Sequence, residues 1–486
     1  MNKKKSKKKF VLSAFTIIFI LIILLALITY LLPNAIFNGE TIVNGSGVVR
    51  AKLKDVLLAP IKGFQDAADV GIFIIILGGF LKVVDKTDAL KTGIQVLVKK
   101  LKGKELLLIP ILMFIFSIGG TTYGMLEETV AFYALLAATM VAAGMDTIVA
   151  SAIVLLGAGC GVLGSTINPF ATGAAISALP AGIKVNQGGI IALGVCLWLV
   201  SLLISIFFVV RYAKKVKKDK GSTFLSLQEQ KEVEAKFGSG NNPEILKEIK
   251  KAKLTTKQKI TLILFGFTFV VMIIGFIPWE EFGITFFNSF TSFLTGEPFG
   301  KWYFFDAAVW FFVMSIIIAL VNGMGEKDYV ETFIIGTSDI LSVVLIIAVA
   351  RGASILMKTT YLDNYIIYNA AELLKGMPAV LYAPLNYILH VFLSILVPSS
   401  SGLATLSTPI MGPLTATLGY SVEVNTMIFV AANGLVNLIT PTCGAIMGGL
   451  ALAKVEYSTW FKWAFKIILT IGLASMAILT LAMVIF

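Results

Sequence analysis

The sequence has few charged residues and very few of the residues that catalytic and metal sites use. Of its 486 residues 14% are charged, one is histidine and three are cysteine. A single histidine excludes a His-Glu-x-x-His zinc site, and no Gly-x-x-x-x-Gly-Lys-Ser/Thr phosphate loop occurs. Cys160, Cys196 and Cys443 lie in apolar segments and indicate neither a disulfide framework nor a metal cluster. We therefore expect neither an enzyme nor an ATP-driven pump.

Apolar residues are abundant instead. They make up 57% of the chain, with a mean hydropathy of +0.90, which is typical of a polytopic membrane protein. The net charge of +12 does not suggest nucleic-acid binding, because the excess lies in loops beside apolar spans. A cytoplasmic N-terminus puts the Lys-rich segments 82–104, 211–259 and 454–466 inside, as the positive-inside rule requires. The Lys-rich tails favour a bacterial cell membrane as the location.

One apolar stretch, residues 119–173, is interrupted by polar and helix-breaking residues. It contains Gly119-Gly-Thr-Thr-Tyr-Gly124, then Glu127-Glu128, and later Gly164-Ser-Thr-Ile-Asn-Pro169. Irregular backbone at membrane depth is tolerated only where it is buried in protein or lines a polar cavity. The alternative is that the glycines let helices pack closely, which alone requires neither the glutamates nor the Asn-Pro break.

A second stretch repeats this design. Residues 397–449 contain Pro398-Ser-Ser-Ser-Gly402, then Asn433-Gly-Leu-Val-Asn437-Leu-Ile-Thr-Pro441. Interrupted apolar segments at corresponding positions of two halves indicate the binding site of a secondary transporter.

The pattern predicts an all-α polytopic membrane protein made of two inverted repeats, each with a re-entrant hairpin and a broken helix. The first repeat, 1–211, comprises spans 10–33 and 56–84, an interfacial helix 85–104, a hairpin 105–144, a broken span 146–180 and a span 188–211. A cytoplasmic loop, 212–259, follows. The second repeat, 260–486, comprises spans 260–278, 303–320 and 332–357, an interfacial helix 358–375, a hairpin 377–418, a broken span 423–453 and a span 458–486. The extra span 303–320 inverts the second repeat, and about nine spans result if the hairpins do not cross.

Free N–H groups at broken helix ends favour a carboxylate, and exposed oxygens favour cations. The candidate substrate-binding residues are the polar residues at the hairpin tips and breaks: Thr121, Thr122, Tyr123, Glu127, Glu128, Ser165, Thr166, Asn168, Ser399, Ser400, Ser401, Thr405, Asn437, Thr440 and Thr442. Local helix capping is the alternative role for each hydroxyl or amide.

The distribution of charge limits the class of substrate that the site can be expected to bind. Neither 105–183 nor 376–453 contains Lys or Arg, whereas Glu127 and Glu128 lie at the first hairpin. This predicts a site poor in positive charge and a substrate with a net positive charge or a free amine. Adjacent residues cannot face the same way on a helix, so we favour Glu127. A protonated or backbone-bonded glutamate is the alternative.

Two further residues have both functional and structural interpretations. Arg351 lies within a span, where an arginine is a functional candidate by default, but it could equally form a structural ion pair with Asp339 or a glutamate. His390, the one histidine, lies on the apolar first arm of the second hairpin. We expect it to be a buried histidine with satisfied hydrogen bonds rather than a proton relay.

These motifs resemble the YfcC family of basic amino-acid antiporters, within the ion transporter superfamily that includes C4-dicarboxylate carriers. The most specific segments are residues 119–128, 164–169, 398–405 and 437–442, and the resemblance covers nearly the whole chain. It implies a homodimer of scaffold and transport domains with elevator-type alternating access. Related carriers bind substrate and Na⁺ through Ser-Asn-Thr motifs at the hairpin tips. Here the tips read Gly-Thr-Thr and Ser-Ser-Ser, which leaves coupling to Na⁺ or H⁺ open, and no other cofactor is implied.

The sequence therefore predicts a secondary transporter for a substrate with a net positive charge or a free amine. The resemblance implies an antiporter that exchanges cationic amino acids such as arginine and ornithine. A Na⁺- or H⁺-coupled symporter of small carboxylates or peptides is the alternative within the same fold. A passive channel is the alternative from another class.

Overall fold

The computed structural model describes residues 14–39, 41–101, 104–180, 182–238, 251–277 and 279–486. Most of these residues are helical, and one small antiparallel ribbon pairs β1 (Phe37–Asn38) with β2 (Thr41–Ile42). The basic N-terminal tail, the start of the predicted span 10–33 and part of the predicted loop 212–259 lie outside the described residues.

The helices of the first half are α1 Ala14–Leu31, α2 Leu53–Asp66, α3 Ala68–Lys86, α4 Ala89–Leu101, α5 Leu108–Tyr123, α6 Tyr133–Ala142, α7 Thr147–Leu163, α8 Ala174–Ala178, α9 Gln187–Lys218 and α10 Leu227–Phe237. Those of the second half are α11 Thr256–Phe276, α12 Phe304–Asn322, α13 Glu326–Thr360, α14 Leu362–Leu374, α15 Ala379–Leu396, α16 Ser400–Thr417, α17 Val422–Val436, α18 Gly444–Ala453 and α19 Tyr457–Ile485.

Seven of the described helices are long and apolar enough to cross a membrane: α5 with the turn before it, α9, α11, α12, α13, α15 and α19. The bent pair α2 and α3 would make an eighth span. The nine spans expected from the sequence included segment 10–33, of which Ala14–Leu31 is described and forms one helix, and two broken spans, each of which is divided between shorter helices. The chain is a multi-pass membrane protein.

The helices form two packed groups. In the first, called the α13 group, α1, α2 and α3 pack against the long helix α13, and α12 packs against α3. Glycines allow the closest crossings: a Cβ on Gly78 would lie 2.7 Å from the Gly336 carbonyl oxygen, and one on Gly352 would lie 2.8 Å from the Ala59 carbonyl. Without side chains at these positions the backbones approach directly, which is how helices associate in lipid.

The second group, called the hairpin group, contains α5 to α9 and α15 to α19. Its two broken helices cross each other where Gly434 of α17 lies against the backbone of Leu163, at the end of α7. The pair α5 and α6 forms one helical hairpin, and α15 and α16 form another. The two groups meet where α13 packs against α18.

The predicted single span 56–84 is wrong in one respect, because two helices, α2 and α3, form it and meet at an angle of 62°. The bend is at Ala67, between Asp66 at the end of α2 and Asp69 in the first turn of α3. A carboxylate is stabilising near a helix N-terminus, so Asp69 favours a new helix start at this point. Because apolar residues continue on both sides of this point, the sequence pattern predicted one span rather than two helices.

The first hairpin also differs from the prediction. The Gly-Gly-Thr-Thr-Tyr segment at 119–123 is helical, so α5 is longer than a dozen residues, and the turn begins at Gly124, whose φ is +82°. Gly120 and Gly161 lie where α5 and α7 cross, and a Cβ on either would overlap backbone of the facing helix. The packing interpretation is therefore correct for these glycines, and irregular backbone is confined to the turn and the breaks.

Candidate functional site

The first break lies between α7 and α8. Residues 164–168 are not helical, and a π-helical segment, Pro169–Gly173, precedes α8. Thr121, on the last turn of α5, donates its hydroxyl to the Gly164 carbonyl at 2.7 Å, and its own carbonyl accepts from the Thr166 N–H at 2.9 Å. The hairpin therefore supplies hydrogen bonds that the broken helix lacks.

Asn168 organises the rest of this break. Its Nδ2 donates to Ser165 Oγ at 2.9 Å, and its Oδ1 accepts from the Phe170 N–H at 2.9 Å. A Cβ on Gly124 would lie 2.8 Å from the Asn168 amide, so the turn of the hairpin rests directly on the asparagine. A side chain at position 124 would be strained twice, by this contact and by the left-handed backbone.

The second break lies between α17 and α18, and the tip of the second hairpin covers it. Asn437 Nδ2 donates to the Pro398 carbonyl at 3.0 Å, and Ser400 Oγ donates to Asn433 Oδ1 at 2.7 Å. Thr442 Oγ1 donates to the Ile395 carbonyl at 3.0 Å. Both hairpin tips are thus held against a broken helix by side-chain hydrogen bonds to backbone carbonyls.

A cavity of about 100 Å³ lies between the two breaks. Residues of both helix groups line it. The lining residues are Val70, Gly124, Leu126, Val162, Asn168, Phe170, Tyr303, Phe304, Ile347, Arg351, Pro398, Ser399, Ser400, Ser401, Asn437, Thr442, Cys443 and Gly444. Six of the sequence-predicted residues are among them: Asn168, Ser399, Ser400, Ser401, Asn437 and Thr442.

The other predicted hydroxyls whose side chains the structure describes do not line this cavity. Ser165 and Thr440 are buried, and each bonds a near neighbour in its own break, Ser165 to the Val162 carbonyl at 2.7 Å and Thr440 to Thr442 Oγ1 at 2.7 Å. Thr122 and Thr405 donate to carbonyls of their own helices. Local capping therefore accounts for these hydroxyls.

Thr121 and Thr166 form the hydrogen bonds that join the end of α5 to the first break. The side chains of Tyr123, Glu127 and Glu128 lie outside the described part of the structure. The backbone of the two glutamates is described, and it begins a short 3₁₀ helix, Glu127–Phe132, directly after the cavity-lining residue Leu126.

The expectation of a site without positive charge is wrong, because Arg351 lines the cavity. Its Nε lies 3.8 Å from Asp66 Oδ2, at the bend between α2 and α3. The predicted partner, Asp339, instead pairs with Lys82 at 2.9 Å. Counting cations only in the two interrupted stretches missed an arginine that the α13 group brings to the site.

Two helix N-termini also lie at the cavity. α16 begins at Ser400, and the Ser399 hydroxyl accepts from the Gly402 N–H at 3.2 Å. α18 begins at Gly444 with no side-chain hydrogen bond capping its first turn. Unsatisfied N–H groups and the helix dipole make such ends favourable for an anion.

An acceptor lies at the same place. Asn437 Oδ1 is buried and has no hydrogen-bond partner, while the Nδ2 of this amide has two. A buried acceptor without a partner costs free energy unless a bound group satisfies it. The site thus offers anion-binding groups, and a buried oxygen without a partner belongs to one of the lining residues.

Aromatic residues close one side of the cavity, and sequence reasoning did not select them. Phe170, from the π-helical segment of the hairpin group, packs against Tyr303 at a ring-centroid distance of 5.3 Å and stacks on Phe304 at 6.3 Å. Tyr303 and Phe304 lie at the start of α12, in the α13 group. In the sequence these aromatic residues resemble those of any membrane interface or helix core, so no sequence pattern identifies them as cavity-lining residues.

His390 is fully buried, and both ring nitrogens have partners: Nδ1 lies 2.9 Å from the Asn386 carbonyl oxygen and Nε2 lies 2.6 Å from Ser407 Oγ. The donor and acceptor roles depend on the tautomer. This agrees with the prediction of a satisfied buried histidine.

Two relatives have sequences similar to this chain over most of its length. The chain is 30% identical over 417 residues to an uncharacterized protein of Haemophilus influenzae, covering 86% of this chain and 75% of the relative. It is 24% identical over 415 residues to the protein named putative basic amino acid antiporter YfcC of Escherichia coli, covering 82% and 74% respectively.

Two solved structures align over almost the full length. MtrF of Neisseria gonorrhoeae, from a class described as antimetabolite efflux pumps, matches with a TM-score of 0.44 and 18% identity over 98% of this chain and 96% of its own. The YdaH transporter of Alcanivorax borkumensis matches with a TM-score of 0.45 and 15% identity over 97% and 98%.

The model of the DcuC family, described as C4-dicarboxylate anaerobic carriers, matches residues 12–485. The similarity to YfcC confirms the resemblance found in the sequence. The chain therefore belongs to the DcuC family of membrane carriers.

Proposed function

We propose that this secondary transporter is an antiporter that exchanges amino acids, chiefly cationic ones such as arginine and ornithine. The observation that carries the proposal is the cavity between the two breaks, where Arg351 and the N-termini of α16 and α18 surround one space. A guanidinium and helix N-termini favour a carboxylate, which every amino acid carries. Asn437 Oδ1, which lacks a partner, suits the amino group.

The cationic side chain of the substrate is assigned to Glu127 or Glu128. Both follow Leu126 directly, and Leu126 lines the cavity. A glutamate carboxylate and the Arg351 guanidinium would together match a molecule that carries both a cation and a carboxylate. The Escherichia coli relative, named a putative basic amino acid antiporter, supports this substrate class.

We assign the α13 group to a scaffold and the hairpin group to a moving transport domain, with elevator-type alternating access and inverted repeats. Residues of both groups line the cavity, so sliding one group along the other would open and close it. We further propose a homodimer in the bacterial cell membrane with a cytoplasmic N-terminus, following the charge pattern and the resemblance.

C4-dicarboxylate exchange is the second candidate. Arg351 in the cavity favours it, and so does the description of the family. A dicarboxylate would place one carboxylate on Arg351 and the other on the helix N-termini.

Reconstituted proteoliposomes distinguish these functions. Vesicles are loaded with ornithine and uptake of labelled arginine is followed with and without a Na⁺ gradient, while a parallel set uses succinate on both sides. We expect ornithine inside to accelerate arginine uptake. Exchange of succinate alone would favour the second candidate, and absence of trans-stimulation with any dibasic amino acid would end the cationic assignment. A channel would conduct without trans-stimulation.

Variants link the transport to the cavity. Arg351→Gln should reduce exchange by about tenfold, as expected for losing a charged hydrogen-bond donor to a carboxylate. Lys358→Gln is the matched control, since it removes a cation from the same helix two turns away. Glu127→Gln and Glu128→Gln are measured separately, and loss is expected at one position. Unchanged uptake in both variants would remove the glutamates from the site.

A further inference from the structure

The ion pair between Arg351 and Asp66 lies at the edge of the cavity rather than on a remote surface. Arg351 lines the cavity, and Asp66, one turn before the cavity-lining Val70, holds its carboxylate oxygen 3.8 Å from Arg351 Nε. The distance is long for a charge-assisted hydrogen bond, so the two groups attract without being locked together. Their side chains are 27% and 40% exposed.

Among the lining residues of the described structure, Arg351 is the only one with a charged side chain. Asp66 therefore offsets the positive charge of Arg351 that an incoming anion meets. With Asp66 present, the pair has no net charge, and with asparagine at position 66, the pair carries one positive charge. Because the energy of an ion scales with its charge, a dianion responds to this difference about twice as strongly, in free energy, as a monoanion.

We propose that Asp66 is a specificity-determining residue that keeps dicarboxylates out of the cavity. Asp66 acts through Arg351. A substrate with a single carboxylate can compete with Asp66 for the guanidinium. A dianion can do the same, but Asp66 repels its second charge. The inference rests on the proposed function only in taking this cavity as the substrate site.

The bend between α2 and α3 supports this role. Asp66 is the last residue of α2, directly before the 62° bend into α3, and both helices pack against α13. Gly63 and Gly352 allow the two helices to touch at this level, where a Cβ on Gly63 would overlap the α13 backbone. The close crossing brings a carboxylate of α2 and the guanidinium of α13 to the same side of the cavity.

The experiment measures binding of two probes to the purified full-length protein in detergent: succinate, a dianion, and butyrate, a monoanion of the same carbon number. In the wild type, succinate should bind no more tightly than butyrate. In Asp66→Asn, butyrate affinity should rise about threefold and succinate affinity about tenfold, because the gain of the dianion is the square of that of the monoanion. The ratio of the two affinities is the decisive readout, since a merely structural change would move both equally.

Two controls accompany it. Asp339 lies on the same helix as Arg351, about 18 Å from it along the helix axis, and pairs with Lys82 of α3. Asp339→Asn removes this remote carboxylate and should leave the ratio of the two affinities unchanged. In Asp66→Asn combined with Arg351→Gln, the gain for succinate should disappear. If Asp66→Asn does not fold, Asp66→Ser is tested by the same ratio.

An unchanged ratio in the Asp66 variants, or a wild type that already prefers succinate, would overturn the inference. Neither result depends on arginine exchange in proteoliposomes. Failure of the proposed function is recognised by absent amino-acid exchange in the wild type, and failure of the inference by the binding ratio.

Discussion

Asn437 Nδ2 donates a hydrogen bond of 3.0 Å to the carbonyl of Pro398, so the break of α17 holds the tip of the second hairpin. The same nitrogen lies 3.1 Å from Asn433 Oδ1, which also accepts from Ser400. Asn433 and Asn437 thereby hold the N-terminus of α16 at the cavity through residues that lie 33 and 39 positions earlier in the sequence. Positioning this helix end is a condition for anion binding there.

Replacing Asn437 should loosen this tip. Asn437→Ala removes the shorter of the two hydrogen bonds to the Pro398 carbonyl, which keeps only the one of 3.4 Å from Asn433 Nδ2. It should lower the free energy of unfolding by about 1 kcal/mol. Substrate exchange should fall as well, because the α16 N-terminus would lose its support. Thermal unfolding followed by tryptophan fluorescence and counterflow uptake measure the two effects.

Thr405→Ala is the matched control for that variant. The Thr405 hydroxyl bonds only carbonyls of its own helix, at 2.9 Å and 3.0 Å, and lies outside the cavity. We expect its unfolding temperature and transport to stay close to wild type. Equal effects of the two substitutions would contradict the role given to Asn437.

The crossing of α5 and α7 depends on glycine. A Cβ on Gly161 would overlap the Ser117 carbonyl and lie 2.7 Å from the Thr121 N–H, and backbone cannot move aside as a side chain can. Gly161→Ala should therefore cost about 1–3 kcal/mol of stability, as overpacking does. It should also displace Thr121 from the first break and reduce transport.

Gly266 provides the comparison. It lies within α11 with no atom within 4 Å of an added Cβ, so Gly266→Ala should be neutral or stabilising by up to about 1 kcal/mol through helix propensity. Unfolding temperatures of both variants in one detergent test this. Loss of stability in Gly266→Ala alone would contradict the packing account.

The contact between the two helix groups can be tested at Gly444 and Ile347. An added Cβ at Gly444 would overlap the Ile347 side chain and lie 3.2 Å from its Cα. Gly444→Ala should therefore disfavour the present arrangement and slow exchange. Ile347→Ala in the same chain removes the overlapping atoms and should restore part of the rate.

This pair forms a double-mutant cycle. A restoring effect of the second substitution shows that the contact between α13 and α18 limits transport. Purely additive losses would instead mean that the two positions act separately, and the contact would have no part in the movement of the groups.

Asp146, in the turn before α7, links stability to pH. Burial raises its pKa above 3.8, against the hydrogen bonds from Tyr212 at 2.5 Å, Thr223 at 2.7 Å and the Val149 N–H. The folded state thus binds this proton more tightly than the unfolded chain. The contribution to stability is full below the unfolded-state pKa and is lost as the pH rises through the raised folded-state pKa.

We therefore expect the wild type to gain stability relative to Asp146→Asn as the pH is lowered from 7 towards 4. Asparagine can still accept from the Val149 N–H, so the cap of α7 remains while the titration disappears. Unfolding temperatures of both proteins across this pH range give the comparison. A constant difference between them would contradict the effect of Asp146.

The sequence by itself determined that this chain is a helical membrane protein and where α7 and α17 end. A long apolar segment can satisfy its own backbone hydrogen bonds in lipid only as a helix, and the Asn-Pro and Thr-Pro pairs mark where these two helices stop. The positions of Asn168, Ser399 and Asn437 at the cavity follow from that local chemistry.

The tertiary structure alone decided the charge of the site. Arg351 and Asp66 lie far from the interrupted stretches in the sequence, and only the packing of α2 and α13 brings them together at the cavity. The bend at Ala67 and the helical state of residues 119–123 were likewise settled by contacts between helices. A local sequence pattern indicates which backbone hydrogen bonds a segment can form by itself. The charge of a cavity depends instead on which side chains, distant in the sequence, line it.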